Sequence, residues 1–483
     1  MYDIIIIGAG VIGCSVAARV AEYTGNFAVI DRGEDVSEGA SKANSGIVHA
    51  GYDAEPGSEK ARLNVKGAKM YPALCEKLGV PYGNPGALVL AFNEEERGLV
   101  ERLKEQSIVN GVPGCRVVER AEALKMEPRL NPDVLCALYV PASGLVSPYE
   151  MTFALADVAA ENGADFLLNT TVEGLEHNGE HWIVHTNHGD YQAKAIVNCA
   201  GTGAGVLHNM ISTRKVRIIP RRGQYYLLDH MQEPEFNMTI FQVPTPLGKG
   251  VLVSPTTHGN ILLGPTAEDI EDGQDTMTTQ MGLGEVLTKA KKTWPTCSLR
   301  NVITTFSGIR SHEAGGDFII GAVEGAPEGA FEAIGIESPG LSAAPAIGEE
   351  LGDWVAYTLK LGKRGDYRAP KPLPKPFNRM SMEERAAAYE ENPDYGRIVC
   401  RCEQVTEAEI RYAIRRPVGA RSLDGVKHRT RAGMGRCQSG FCSTRVMQIL
   451  QEELNVDLLD ITKMGGKSYL LTGKLTGEDK HHA

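Results

Sequence analysis

The stretch Ile4-Ile5-Ile6-Ile7-Gly8-Ala9-Gly10-Val11-Ile12-Gly13 decides the fold. An apolar β-forming run (residues 3–7) enters a Gly-x-Gly-x-x-Gly turn, and residues 12–22 continue with helical spacing. Gly8, Gly10 and Gly13 let the backbone approach a pyrophosphate at the positive end of a helix. A second strand is expected over residues 27–31, and it ends on Asp31, 18 residues after Gly13. An acidic side chain there binds ribose hydroxyls and disfavours a 2′-phosphorylated nucleotide, because like charges would meet. The unit is therefore the βαβ start of an α/β domain that holds a dinucleotide. The fingerprint alone leaves FAD and NAD both open.

Working outward, 483 residues exceed one ordinary hydrophobic core and call for several domains. The 54 glycines exceed the usual ~7% and suggest tight turns and backbone closely approached by a ligand. A formal charge of −11 argues against a dominant attraction to nucleic acid or anionic membrane. No apolar run approaches the ~20 residues of a membrane helix, and Asp3 before a glycine-punctuated strand is unlike a signal peptide. A cytoplasmic protein is expected, with peripheral membrane association only through a partner. Between residues 214 and 320, short β-forming runs at 224–228, 251–254 and 260–264 predict a mostly antiparallel sheet inserted into the α/β body. Pro370, Pro372, Pro374 and Pro376 mark an extended linker over 361–395. Beyond it, Thr406-x-x-Glu409 is a capping box, and Val446, Ile449, Leu450 and Leu454 recur at helical spacing in a small helical domain.

Two further glycine turns bear on the cofactor: Ala195-Ile-Val-Asn-Cys-Ala-Gly201-Thr-Gly203 and Gly335-Ile-Glu-Ser-Pro-Gly340-Leu341-Ser342. With these, roughly residues 1–360 resemble the FAD-dependent oxidoreductases of the D-amino-acid-oxidase superfamily. The resemblance implies an FAD-binding Rossmann-like domain built from segments at about 1–80, 145–210 and 320–360. It implies a substrate domain from about 81–144 and 211–319 whose sheet covers the flavin. It also implies that backbone near Val172 contacts the adenine, that Gly201 lies along the cofactor, and that Gly340, Leu341 and Ser342 lie by the isoalloxazine.

Ser41-Lys-Ala-Asn44-Ser45-Gly46-Ile-Val-His49 follows the ribose acid and brings Ser41, Ser45, Gly46 and one histidine to the cofactor. His49 is the expected catalytic base, since an imidazole of pKa ~6.5 suits removal of a hydroxyl proton near neutrality. The segment resembles the corresponding loop of L-2-hydroxyglutarate dehydrogenases and, more loosely, glycerol-3-phosphate dehydrogenases. Arg310, in Ser307-Gly308-Ile309-Arg310, is expected to bind the substrate anion through a planar fork that stays charged. Many members of the superfamily carry proline after this arginine, whereas Ser311-His312-Glu313 follows here. Lys249 is a second candidate for anion contact.

Of ten cysteines, Cys400, Cys402, Cys437 and Cys442 cluster near the end. Two close pairs separated by 34 residues suit either zinc or a [2Fe–2S] cluster by spacing alone. Their surroundings, including Arg431-Ala-Gly-Met-Gly-Arg436-Cys437-Gln-Ser-Gly-Phe-Cys442, resemble the bacterioferritin-associated-ferredoxin-like [2Fe–2S] domain. That domain occurs at the C-terminus of anaerobic-type glycerol-3-phosphate dehydrogenase subunits. It is assigned to 396–470, with a frayed tail at 471–483. Lys427, Arg429, Arg431 and Arg436 crowd the segment, either stabilising the anionic cluster, forming a partner-docking face or lying on a solvated loop. No aromatic residues interleave with these cations, which argues against nucleic acid.

The expectation is a dehydrogenase that oxidises a small anionic 2-hydroxy compound with FAD and passes electrons through [2Fe–2S] to a partner protein. Glycerol 3-phosphate is the first substrate, with L-2-hydroxyglutarate or an amine or imino acid as alternatives. A non-catalytic flavin and iron–sulfur carrier is the competing class.

Overall fold

The first sheet grows from the opening strand. The computed structural model describes residues 1–230, 235–244 and 250–474. Strand Tyr2–Ile7 lies between Phe27–Ile30 and Gly189–Asn198, and Ala164–Leu167 and Ala330–Ile334 extend the five-stranded parallel set at either side. Ile319–Ala322 adds an antiparallel edge, and the hairpin Val172–His177 with Trp182–Thr186 pairs with Gly189–Asn198. Ile4 to Ile7 are all buried because both faces of the sheet are covered. The helix Val11–Val20 packs on one face against Gly340–Thr358. A Cβ on Gly348 would fall 2.6 Å from the Ser15 carbonyl carbon, so this glycine sets how closely the two helices approach. The first helix stops two residues short of its expected end. The N–H groups of Glu22 and Tyr23 there bond back to Arg19 and Val20, tightening the final turn.

The second sheet has nine strands and is antiparallel except where Thr239–Gln242 runs beside Ala87–Ala91. Its longest pairing joins Ile218–Leu228 to Val302–Glu313, with Arg221 opposite Arg310 and Tyr225 opposite Phe306. Separate apolar clusters cover its two faces. A Cβ on Gly308 would lie 1.9 Å from the Ala43 carbonyl oxygen, so this strand pair runs directly over the loop that carries Ser41 to Gly46.

The proline segment differs from its reading as an extended spacer. Its first half is extended but strapped to the body, where Leu373 N–H donates to Leu78 O at 2.9 Å and Leu361 and Leu373 pack on the core. Its second half contains the helix Met382–Glu391, which is closed by a capping box between Ser381 and Glu384. The prolines dominate the composition there, but Met-Glu-Glu-Arg-Ala-Ala-Ala-Tyr-Glu-Glu is a strong helix-forming run. The C-terminal unit then builds its core from Ile410, Ile414, Val426, Val446, Ile449 and Leu450. The Thr406–Glu409 capping box opens the helix Glu407–Arg415 as its sequence requires. Of the expected tail, Leu471 packs on this core, and residues from 475 onward lie outside the described residues.

The unit is held to the body by buried charges. Arg429 is fully buried on its side chain, forks onto both oxygens of Asp35 (Nη2 to Oδ1 2.7 Å) and stacks 3.9 Å from the Phe153 ring. Arg416 Nε donates to Asp157 at 2.6 Å, and Arg431 Nη2 donates to Asn260 Oδ1 at 2.9 Å. The cations that crowd the cysteines in sequence therefore serve largely to dock one domain on another. Removing one member of a buried pair strands the other charge. Asp35→Ala is accordingly expected to destabilise the docked unit by about 3–5 kcal/mol. The check is thermal unfolding, where an unchanged transition would contradict it. Among the described residues, no helix is long and apolar enough to cross a membrane.

Candidate functional site

A single cavity of about 1690 Å³ runs between the two sheets and reaches the C-terminal unit. It exceeds the ~300–1,000 Å³ of an ordinary small-ligand pocket, leaving room for a long cofactor and a substrate together. Gly8 and Gly10 line it, and Gly13 does not. Gly8 has φ +109°, and a Cβ on it would meet the Cys199 carbonyl oxygen at 2.3 Å. A Cβ on Gly13 would meet the Gly8 carbonyl oxygen at 1.8 Å, so Gly13 serves the turn's own packing. The helix that starts at Val11 has Gly10 as its N-cap, no capping side chain and no acid in its first turn, so its positive end faces the cavity. Ser41 Oγ accepts from Val11 N–H at 2.8 Å. Asp31 accepts from the N–H groups of Ala9 and Gly33, each at 2.7 Å, joining the strand end to the glycine turn. Val172 and Gly201 line the cavity further along.

The loop after Ser41 places His49. Gly46, at φ +66°, lies so close to Val146 that a Cβ would sit 2.6 Å from its carbonyl oxygen. Ser45 Oγ is 3.2 Å from the Tyr225 hydroxyl, which ties the loop to the covering sheet. His49 is buried at 8% exposure, lines the cavity and has its ring 5.7 Å from the Phe241 ring. Its backbone N–H donates to Ser342 Oγ at 2.7 Å. Ser342 is fully buried and does not line the cavity, unlike Gly340 and Leu341. It braces the His49 backbone instead of facing the ligand.

Arg310 lines the same cavity and donates from Nη2 to the Thr266 carbonyl at 2.7 Å. Burial pushes its pKa down, partly countered by Tyr225, yet guanidinium stays protonated. Among the described residues, no carboxylate lies within ion-pair distance of it. His312, by contrast, bonds to Glu337 at 2.8 Å, and Glu337 also holds Lys60 at 2.7 Å. This histidine braces the loop, and without a proline the strand simply continues through Glu313. Lys249 lies outside the described residues. Tyr225 was missed by the sequence reading. Its ring stacks 4.7 Å from Phe306, and burial raises the pKa of its phenol. Period-two alternation from Gly223, the residue level with Gly308 across the strand pair, was the only signal for it.

The model of the family described as FAD dependent oxidoreductase matches residues 3–354. The chain belongs to that family. In this oxidoreductase the helix start free of acidic residues, the glycine turn and Asp31 fit FAD. A second model, the BFD-like [2Fe-2S] binding domain, matches residues 398–452. The oxidoreductase is 44% identical over 480 residues to a glycerol 3-phosphate dehydrogenase of Caloramator mitchellensis, covering 99% of this chain and 100% of that one. It is 28% identical to a mitochondrial L-2-hydroxyglutarate dehydrogenase of Arabidopsis thaliana, covering 72% and 82%. Among solved structures it resembles dithionite-reduced L-alpha-glycerophosphate oxidase from Mycoplasma pneumoniae with FAD bound. That match has 31% identity and a TM-score of 0.73, and covers 77% of this chain and 99% of that one.

The oxidoreductase binds FAD in its body and has a [2Fe–2S]-binding domain at its C-terminus. The four thiols of that domain fit a cluster of two irons. Cys402 Sγ and Cys437 Sγ are 3.6 Å apart, and Cys400 and Cys442 form a second, buried hydrogen-bonded pair. Among the described residues, no three or more His, Cys, Asp or Glu side chains converge on one metal. The two pairs together supply the four thiolates that a cluster of two irons takes. The Cys442 thiol and the N–H groups of Gly433 and Glu403 hold the Cys400 thiol below its ordinary range, favouring a thiolate ligand.

Proposed function

We propose that this flavoprotein oxidises glycerol 3-phosphate to dihydroxyacetone phosphate and passes the electrons to a partner protein. One observation carries the reading: Arg310 lines the same cavity as His49, and among the described residues no carboxylate lies within ion-pair distance of it. A desolvated guanidinium is costly unless an anion pairs with it, and the phosphate of the substrate supplies that anion. The phenol of Tyr225, beside Arg310 and bonded to Ser45, closes the pocket and offers a further donor. With the phosphate held there, His49 accepts the proton of the C2 hydroxyl as the C2 hydrogen departs with its electron pair. The carbonyl forms from the remaining C–O bond. FAD supplies the two-electron acceptor, and the cluster supplies the one-electron exit.

Gly8, Gly10, Asp31, Ser41, Ser45, Gly46, Val172, Gly201, Gly340 and Leu341 would hold the cofactor, with Gly13 and Ser342 shaping the turns behind it. Cys400, Cys402, Cys437 and Cys442 would hold the irons. The full-length match to a glycerol 3-phosphate dehydrogenase supports the substrate, and the C-terminal domain supports a one-electron partner over direct reaction with a diffusing oxidant.

The test is anaerobic bleaching of the bound flavin by a panel of hydroxy acids and polyol phosphates. Glycerol 3-phosphate is expected to bleach it fastest. Bleaching by L-2-hydroxyglutarate and not by glycerol 3-phosphate would replace the substrate. No bleaching by any member would favour a pure electron carrier. Arg310→Lys puts a point charge where a fork stood. It is expected to raise KM for the phosphate substrate by about 10-fold or more, with a smaller change in kcat. An unchanged KM would remove Arg310 from the pocket.

A further inference from the structure

The turn that leads into Cys437 is pressed against the segment that backs the flavin loop. Gly46, in the loop that would hold the flavin, accepts through its carbonyl from Val146 N–H at 2.8 Å, and a Cβ on it would lie 3.6 Å from the Pro148 ring. The next residue, Tyr149, stands in the first turn of the helix Pro148–Glu161. Its hydroxyl donates to Met434 Sδ at 3.7 Å, and its ring lies 5.6 Å from the His428 ring. Both partners belong to the C-terminal domain, and Met434 comes three residues before Cys437.

Met434 is in turn tied to the cluster cysteines. Gln438, beside Cys437, donates from Nε2 to the carbonyls of Met434 and Gly435 at 2.9 and 3.0 Å. A Cβ on Gly435 would collide with Cys402 Cβ, so the turn lies directly on the more exposed thiol pair. A chain of bonded and touching groups thus runs from Gly46 through Val146, Pro148 and Tyr149 to Met434, and on to Cys402 and Cys437. Other contacts of the turn, Arg431 to Asn260 and Arg436 to Asp229, lead to the second sheet instead. Electronic coupling falls less steeply through touching atoms than across a gap, and a polarisable sulfur adapts to close contact with a ring.

We infer that the Tyr149–Met434 contact is the internal bridge by which electrons pass from the flavin to the cluster. Each passage takes one electron from the reduced flavin and makes one of two ferric irons ferrous, and the protein acceptor of the proposed function reoxidises that iron. Two passages restore oxidised FAD, and the hydrogen received as hydride leaves as a proton to solvent. The inference rests on the reading that the cluster is the exit for flavin electrons, and not on the identity of the substrate.

Flash reduction by deazaflavin, with EDTA as the donor, puts single electrons on the full holoprotein without substrate. Equilibration between flavin and cluster is then followed at their two absorbances. Tyr149→Leu and Met434→Ala are each expected to slow it severalfold, because the emptied space closes only in part. The double variant should be slowed little more than either alone, the mark of one shared contact. Iron, flavin and the magnetic interaction between the two reduced centres, which reads their separation, should match the unaltered protein in every variant. Unchanged rates in both single variants overturn the inference. So does slowing that adds fully in the double variant or comes with loss of the magnetic interaction, because the pair would then only hold the domain in place. No equilibration in the unaltered protein would refute the exit reading itself, and the bridge with it.

Discussion

His49→Gln is expected to keep FAD bound and to slow substrate-driven flavin reduction by ~10²–10⁴-fold, the range for loss of a general base. The geometry separates the two effects. The imidazole lines the cavity, whereas its backbone is fixed by Ser342 Oγ, a contact that glutamine retains. Glutamine also preserves much of the side-chain volume against Phe241 while losing the basic nitrogen. Stopped-flow reduction under anaerobic conditions reads the chemical step directly. A rate equal to that of the unaltered enzyme would assign the proton to another group.

Cys437→Ser should produce the opposite dissociation: substrate still reduces the flavin, but delivery to a one-electron protein acceptor falls to background. The unaltered protein should carry about two irons and two acid-labile sulfides per chain, and should become paramagnetic after one-electron reduction. Cys437 and Cys402 form the more exposed thiol pair, so the substitution removes a ligand without opening the buried Cys400–Cys442 side of the domain core. The soft iron site then loses one of four anchors. Iron, sulfide and acceptor reduction are measured on one preparation. Full delivery with zinc in place of iron would make the domain structural.

What the chain disclosed in advance was chemistry tied to local spacing. Gly8, Gly10 and Gly13 with Asp31 announced the first βαβ unit, because a tight turn and a strand-end acid are encoded within thirty residues. The cysteine pairs announced a metal-binding unit by their spacing, and the resemblance of the residues around them to a [2Fe–2S] domain chose the cluster over zinc. What stayed hidden depended on distant segments meeting. Ser342 looked like a flavin contact and is a brace for His49, a bond between residues 293 apart in sequence. Tyr225 gave no sign of meeting Ser45 across the cavity. Arg429 read equally as a counter-charge for the irons, part of a docking face or a solvated side chain, and only Asp35, 394 residues earlier, chooses among them. The helix Met382–Glu391 was legible but was overruled by the prolines before it.

The seating of the C-terminal domain on Asp35 and Asp157 bears on how the protein keeps time. A carrier that swings on a tether visits its donor by diffusion, so its traffic depends on solvent viscosity and on the effective concentration that the tether imposes. A carrier anchored by its own buried contacts is at its donor permanently, and the connecting strap sets only a weak, logarithmic entropy. In this chain the strap can drift in length and composition over evolutionary time without detuning the internal hand-off. On the proposed function, diffusion is left to bring the substrate in and the outside acceptor to the cluster.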